Sequence, residues 1–204
     1  MFIHVGIHVS DAPHFQSRSN DREIKIADFG FAKRVTDEHC LLTQCGTPGY
    51  VAPEILHGVP YGTKADMWSL GVITYILLGG YPPFIEQNQR ELFRKIKKGQ
   101  YEFHPEYWGS VSREAKDLIS RLLTVDPNSR MNANSALNSS WILGQDTQLE
   151  NFDLGGNLQQ FRKYNAKRKL RQAVLTVSSQ CNSMLFFFPV NKCFSTNFVF
   201  LLLT

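Results

Sequence analysis

At 204 residues, 43% hydrophobic and 20% charged, the chain is the size of one domain and long enough to bury a sizeable core. Its net charge of +4 is unevenly spread: residues 154–204 carry seven Lys/Arg and no Asp/Glu, which leaves −3 on residues 1–153. A basic tail on a mildly acidic body suits an acidic protein partner or an anionic surface, and without an aromatic-interleaved platform it argues against nucleic acid. Cys40, Cys45, Cys181 and Cys193 show no C-x-x-C spacing, which argues against zinc and disulfide frameworks and for a reduced, cytoplasmic setting.

In chain order, Met1 to Ile7 lacks the basic start and the apolar length of a signal peptide. Residues 1–15 show no clear pattern and stand as an unassigned leader. His4 and His8 are four apart but lack a third ligand, so they read as ordinary histidines. Ile24 to Ala27 alternates as a short strand. From Thr63 to Leu78 apolar residues run almost all round the cylinder, which predicts a buried helix. Its apolar run of about eleven residues is too short to span a membrane. Further helices are predicted over 88–98, 112–123 and 132–139, introduced by Asn88, Ser112 and Asn132. In the tail, Leu158, Phe161, Tyr164, Leu170, Val174 and Val177 recur at helical spacing opposite six cationic side chains. Beyond Val177 the pattern stops. The apolar runs 184–190 and 198–203 fall short of the roughly 18 residues of a spanning helix, and Pro189 interrupts the first.

Several short motifs occur in a fixed order. Asp28-Phe29-Gly30 follows the short strand; Gly46-Thr47-Pro48-Gly49-Tyr50-Val51 runs into Ala52-Pro53-Glu54; Asp66-Met67-Trp68-Ser69-Leu70-Gly71-Val72 opens the long apolar helix. Tyr81-Pro82-Pro83-Phe84, Trp108 ahead of Val111-Ser112, and Asp126-Pro127-Asn128-Ser129-Arg130 come later. Each triplet alone is weak, but their order and spacing together resemble the serine/threonine protein kinases, and the later motifs resemble the calcium/calmodulin-dependent group. The resemblance covers about residues 16–177. It implies a mainly α, partial protein-kinase-like fold: a helical C-terminal lobe with a short β-hairpin remnant and without the N-terminal lobe. The expected organisation is a leader over 1–15, a partial kinase domain over 16–144, a linker and basic regulatory helix over 145–177, and an unassigned apolar tail over 178–204.

The resemblance also implies chemistry. Asp28 matches the ligand of the Mg²⁺ that bridges ATP phosphates, with Phe29 packing and Gly30 turning the chain. The reaction would be transfer of the ATP γ-phosphoryl group to a serine or threonine of a protein substrate. That chemistry needs a Gly-rich phosphate loop, a strand Lys, and a catalytic-loop Asp and Asn ahead of Asp28, and residues 1–27 hold no such pattern. His8-Val9-Ser10-Asp11 is only superficially similar to a catalytic loop, with no Lys or Asn after it. No catalytic residue is therefore assigned, and the polypeptide alone is expected to be inactive. Thr43 matches an activating phosphorylation site, with an unmodified loop Thr as the alternative and Lys33 or Arg34 as partners for the phosphate. Gly46, Thr47 and Pro48 match the substrate-docking loop. Glu54 and Arg130 match a buried ion pair, and Asp66 a carboxylate at the start of a helix that holds catalytic-loop amides; these three read as structural.

The stretch Phe161 to Val177 resembles the autoinhibitory, calmodulin-binding helix of the same group, with Phe161, Leu170 and Val174 as candidate anchors. Two alternatives stay open: a solvated basic helix docked on its own lobe, and a membrane-surface helix. The competing functional reading is a non-catalytic module that binds calmodulin or a protein substrate.

Overall fold

The structure, a computed structural model, describes residues 6–8, 25–27, 41, 47–144 and 155–182. Among them the fold is mainly helical. Two three-residue strands, β1 (Gly6–His8) and β2 (Lys25–Ala27), pair antiparallel with Ile7 opposite Ile26. The leader, which shows no pattern in sequence, thus contributes one edge of this ribbon: three residues are too few for alternation to register. Leu41 makes an isolated antiparallel bridge with Tyr61 and is almost fully buried.

Seven α-helices follow among the described residues: α1 (Pro53–His57), α2 (Lys64–Gly79), α3 (Gln89–Lys98), α4 (Pro105–Trp108), α5 (Arg113–Leu122), α6 (Ala133–Leu137) and α7 (Gly155–Asn182). The three caps expected from sequence are made as such. Asn88 accepts from the Arg90 amide at 2.9 Å, Ser112 from Ala115 at 3.3 Å, and Asn132 from Ser135 at 2.8 Å. Each satisfies one of the amides a helix start leaves open.

The core is built around α2, which packs against α5, α7 and α4. Trp68, Val72 and Tyr75 lie on it with no exposed surface, and Ile96, Trp108, Ile119 and Leu122 close over them. Gly71 is where α5 comes closest: a Cβ there would stand 2.9 Å from Leu122 Cβ and from Leu123 Cδ2. Gly71→Ala should therefore cost about 1–3 kcal/mol through overpacking rather than gain helix propensity, and a lower urea midpoint would register it.

One expectation fails in part. α2 is not buried on all sides, since Leu70 is 41% and Leu77 44% exposed. With half-buried Thr74 between them these residues form a stripe on one face that its neighbours cover only in part. Apolar character all round a helix specifies that burial is favourable, but neighbours must exist on every side to supply it.

An aromatic cluster ties α2 to α4. The Tyr75 ring meets Trp108 at 4.6 Å, Tyr81 edge-on at 5.4 Å and Phe103 nearly parallel at 5.7 Å. Its hydroxyl donates to the Glu102 carbonyl at 2.5 Å and lies 2.9 Å from the Tyr81 hydroxyl, which also accepts from Trp108 Nε1 at 3.0 Å. Burial, and then the bond with Tyr81, pushes the Tyr75 phenol far above its ordinary range, so its hydroxyl stays protonated and able to donate at any working pH.

Candidate functional site: the turn at residues 48–50 and helix α7

Residues 48–50 form a single 3-10 turn, with Pro48 at its first position and the Tyr50 amide bonded to the Thr47 carbonyl at 2.9 Å. Thr47, extended and exposed, stands at its entrance. The turn is fixed to α2 because Ser69 Oγ donates to the Tyr50 carbonyl at 2.9 Å. Gly49 is not demanded sterically, as an added Cβ would meet nothing within 4 Å. α3 packs against both the turn and α1, so the turn is held from two sides.

Immediately downstream, α1 starts at Pro53, where a missing N–H costs nothing, and stops at Gly58, whose φ of 70° suits only a residue without Cβ. Its second residue, Glu54, is 5% exposed and meets Arg130, 1% exposed, in a two-pronged ion pair: Nη1 to Oε1 at 2.7 Å and Nη2 to Oε2 at 2.8 Å. The remaining donors of the guanidinium reach backbone carbonyls: Nε to Thr124 at 2.8 Å, Nη1 to Lys64 at 2.8 Å, and Nη2 to Val125 at 3.0 Å. All five N–H groups of a fully buried cation are thus satisfied, the condition for such a pair to be tolerated. The guanidinium also lies 5.1 Å from the Trp68 ring centroid, and that ring stacks on Phe84 at 5.6 Å.

Arg130 is delivered by a preorganised turn. Asp126 Oδ1 accepts from the Asn128 amide at 3.0 Å and Oδ2 from the Ser129 hydroxyl at 2.6 Å, and these bonds hold the Asp126 carboxyl below its usual range. Lys64 Nζ donates to the Arg130 carbonyl. The pair therefore links α1, the start of α2 and the loop between α5 and α6. Asp66 is half-buried in the first turn of α2, where the open amides favour a carboxylate.

α7 docks by its first two turns. Asn157, 6% exposed, donates through Nδ2 to the carbonyls of Leu78 and Tyr107, both at 2.6 Å. Phe161 is 5% exposed, whereas Leu158 is 49% and Leu170 67% exposed. Gly80 makes this approach possible: its φ is 80°, and a Cβ there would stand 2.7 Å from the Asn157 carbonyl oxygen and 2.9 Å from the Phe161 amide. Phe161 and Tyr164 line a cavity of about 10 Å³ together with Ile73, Ile76, Leu77 and Tyr50 of the 3-10 turn. The cationic residues Arg162, Lys163, Lys167 and Lys169 stay exposed.

Of the residues singled out in sequence, Thr47 and Pro48 stand at the start of the 3-10 turn, and Glu54 and Arg130 meet. Asp66 stands one turn along α2, and Phe161 and Leu170 separate into a docked and a free position. Asp28, Thr43 and Gly46 lie outside the described residues, as does the side chain of Val174. Among the described residues no group of three or more His, Cys, Asp or Glu could hold a metal ion, and no helix is long and apolar enough to cross a membrane. Sequence reasoning missed Ser69 and Asn157. The first sits inside a motif already quoted, and the second follows two glycines, where an Asn reads as surface.

Comparison with known proteins agrees with this architecture. Residues 16–142 match the protein kinase domain family. The chain is 50% identical over 127 residues to myosin light chain kinase A of Dictyostelium discoideum, covering 62% of this chain and 43% of that protein. It is 45% identical over 159 residues to calcium/calmodulin-dependent protein kinase type 1 of Macrobrachium nipponense, covering 78% and 46%. Against the type II subunit delta of Oryctolagus cuniculus it is 44% identical over 161 residues, covering 78% and 30%. The chain spans less than half the length of these curated relatives. It belongs to the protein kinase family, and within it to the serine/threonine kinases of the calcium/calmodulin-dependent group.

Proposed function

We propose that residues 16–144 present the protein substrate of a serine/threonine kinase and that residues 145–177 regulate it, with 1–15 and 178–204 lying outside both. The observation that carries this reading is the immobilised docking turn. Residues 47–50 are clamped by the Ser69 bond and by α3, and α1 directly after them is held by the Glu54–Arg130 pair. A substrate segment needs such a rigid edge, because phosphoryl transfer depends mostly on positioning. In this reading Gly46, Thr47 and Pro48 meet the substrate, Asp28 holds the Mg²⁺ of ATP, and Thr43 is the activating phosphorylation site. ATP with Mg²⁺ supplies the phosphoryl group. The 204 residues hold Asp28 but no catalytic-loop Asp and Asn ahead of it, so the polypeptide alone performs no turnover. The test has two arms on the purified chain: Thr47→Ala should weaken binding of a Ser/Thr substrate peptide, unchanged affinity overturning the docking reading, and in a radiolabelled-ATP assay phosphorylation that Asp28→Ala abolishes would overturn the absence of turnover.

The second reading, a non-catalytic module that binds calmodulin, is favoured by the exposure of α7 around Lys167, Lys169 and Leu170. Leu170 is two-thirds exposed beside exposed Lys167 and Lys169, an apolar and cationic combination that suits an acidic groove. Phe161, by contrast, is engaged by the lobe. Calcium-dependent capture by calmodulin should be lost in Leu170→Ala/Val174→Ala, and undiminished capture by that variant would remove these residues as anchors.

A further inference from the structure

We propose that the outer face of α3 is a docking surface for an acidic segment of the protein substrate. The proposal rests on the reading of residues 47–50 as the substrate-docking turn, which α3 buttresses from the other side.

α3 holds five cations and one anion in ten residues. At about 100° per residue, Arg90, Arg94, Lys97 and Lys98 fall within roughly a quarter of the circumference, opposite Leu92 and Ile96, which pack into the core. The stripe is about 12 Å long, at 1.5 Å rise per residue. Arg90, Arg94 and Lys98 are exposed. Arg94 is paired within the helix to Glu91 at 2.7 Å, and Lys95, beside the stripe, to Glu86 at 2.6 Å. Arg90, Lys97 and Lys98 make no ion pair among the described residues.

The ordinary explanation of terminal lysines covers only part of this. Lys97 and Lys98 lie in the last turn, where the helix dipole favours cations. Arg90 lies in the first turn, where the dipole disfavours one, so helix stability does not account for it. The patch is also cationic on a body whose residues 1–153 sum to −3, so it contrasts with its surroundings. The chemistry of the occupant follows from what accompanies the charge. No exposed aromatic on α3 offers a base-stacking platform, since Phe93 packs toward the core. A membrane-bound helix would turn its apolar face outward, and that of α3 is inside. A carboxylate-rich peptide running past the docking turn matches the stripe in sign.

The test is fluorescence anisotropy on the full 204-residue chain with a labelled twelve-residue Asp/Glu peptide. Arg90→Gln/Lys97→Gln/Lys98→Gln should weaken binding about tenfold or more, with affinity falling steeply as salt rises. Arg162→Gln/Lys163→Gln/Lys167→Gln, an equal charge change on α7, should alter it less than about twofold. No measurable binding, an equal or greater loss from the α7 variant, or tighter α3-dependent binding of a twelve-nucleotide oligothymidylate would each overturn the proposal. Thr47→Ala leaves the α3 arm intact, so failure of the docking-turn reading would show in substrate-peptide binding and not here.

Discussion

Replacing Arg130 by methionine should lower the free energy of unfolding by about 3–5 kcal/mol, because it strands the Glu54 carboxylate in a site from which water is excluded. The loss comes from leaving one charge behind rather than from the worth of the pair, so the reverse change, Glu54→Gln, should cost a similar amount. The double variant Glu54→Gln/Arg130→Met should cost less than the two singles combined, since it removes both charges. Arg130→Lys should not rescue: a lysine offers three donors at one point, whereas the site presents two carboxylate oxygens and three separate carbonyls in one plane. Against a total of about 5–15 kcal/mol for a typical domain, any single here brings the lobe close to unfolding. Urea titrations followed by far-UV circular dichroism, analysed as a double-mutant cycle, would measure the coupling. Single losses below about 1 kcal/mol would show that solvent reaches the pair and that the docking turn is anchored by other contacts.

The presence of that pair was legible from Glu54 and Arg130 as they stand in their motifs, but its strength was not. Three of the five bonds go to carbonyls of Thr124, Val125 and Lys64, and backbone acceptors carry no signature in the letters of a sequence. α3, α5 and the short α6 were legible for the opposite reason: their caps Asn88, Ser112 and Asn132 act locally, on amides two or three residues away. α1 and α4 span five and four residues, too few for a 3.6-residue period to emerge. Their usable signal was proline at the first position, Pro53 and Pro105, with Gly58 and Gly109 at the end. In the tail, periodicity marked one apolar face over Leu158, Phe161, Tyr164 and Leu170. It could not tell that Phe161 would be covered and Leu170 left in solvent, because that depends on where the end of α2 lies. Gly80 and Asn157 decide it, by letting two backbones approach and by joining two open carbonyls.

Releasing α7 should therefore have separable effects at Asn157 and Phe161. Asn157→Ala leaves the carbonyls of Leu78 and Tyr107 without their buried donor, at a cost of about 1–3 kcal/mol. If the helix can detach while the lobe stays folded, that cost appears as local opening, roughly 5- to 150-fold more frequent, and not as a lower melting temperature. Trypsin cleavage within residues 162–171 should accelerate by that factor while the lobe remains intact. Phe161→Ala removes a nearly fully buried aromatic ring, a change that costs about 3–5 kcal/mol where the surroundings cannot relax, so detachment should be close to complete. On the calmodulin-binding reading proposed above, calmodulin distinguishes the two. A ligand that needs the detached helix binds in proportion to the detached fraction. Asn157→Ala should then tighten calmodulin binding as much as it accelerates cleavage. Phe161→Ala should gain less than its own cleavage rate implies, because it opens the helix and deletes a candidate anchor together. Were both variants to bind calmodulin as the parent does, the segment around Leu170 would suffice while α7 stays docked, and the lobe-facing turns would serve only to place that segment.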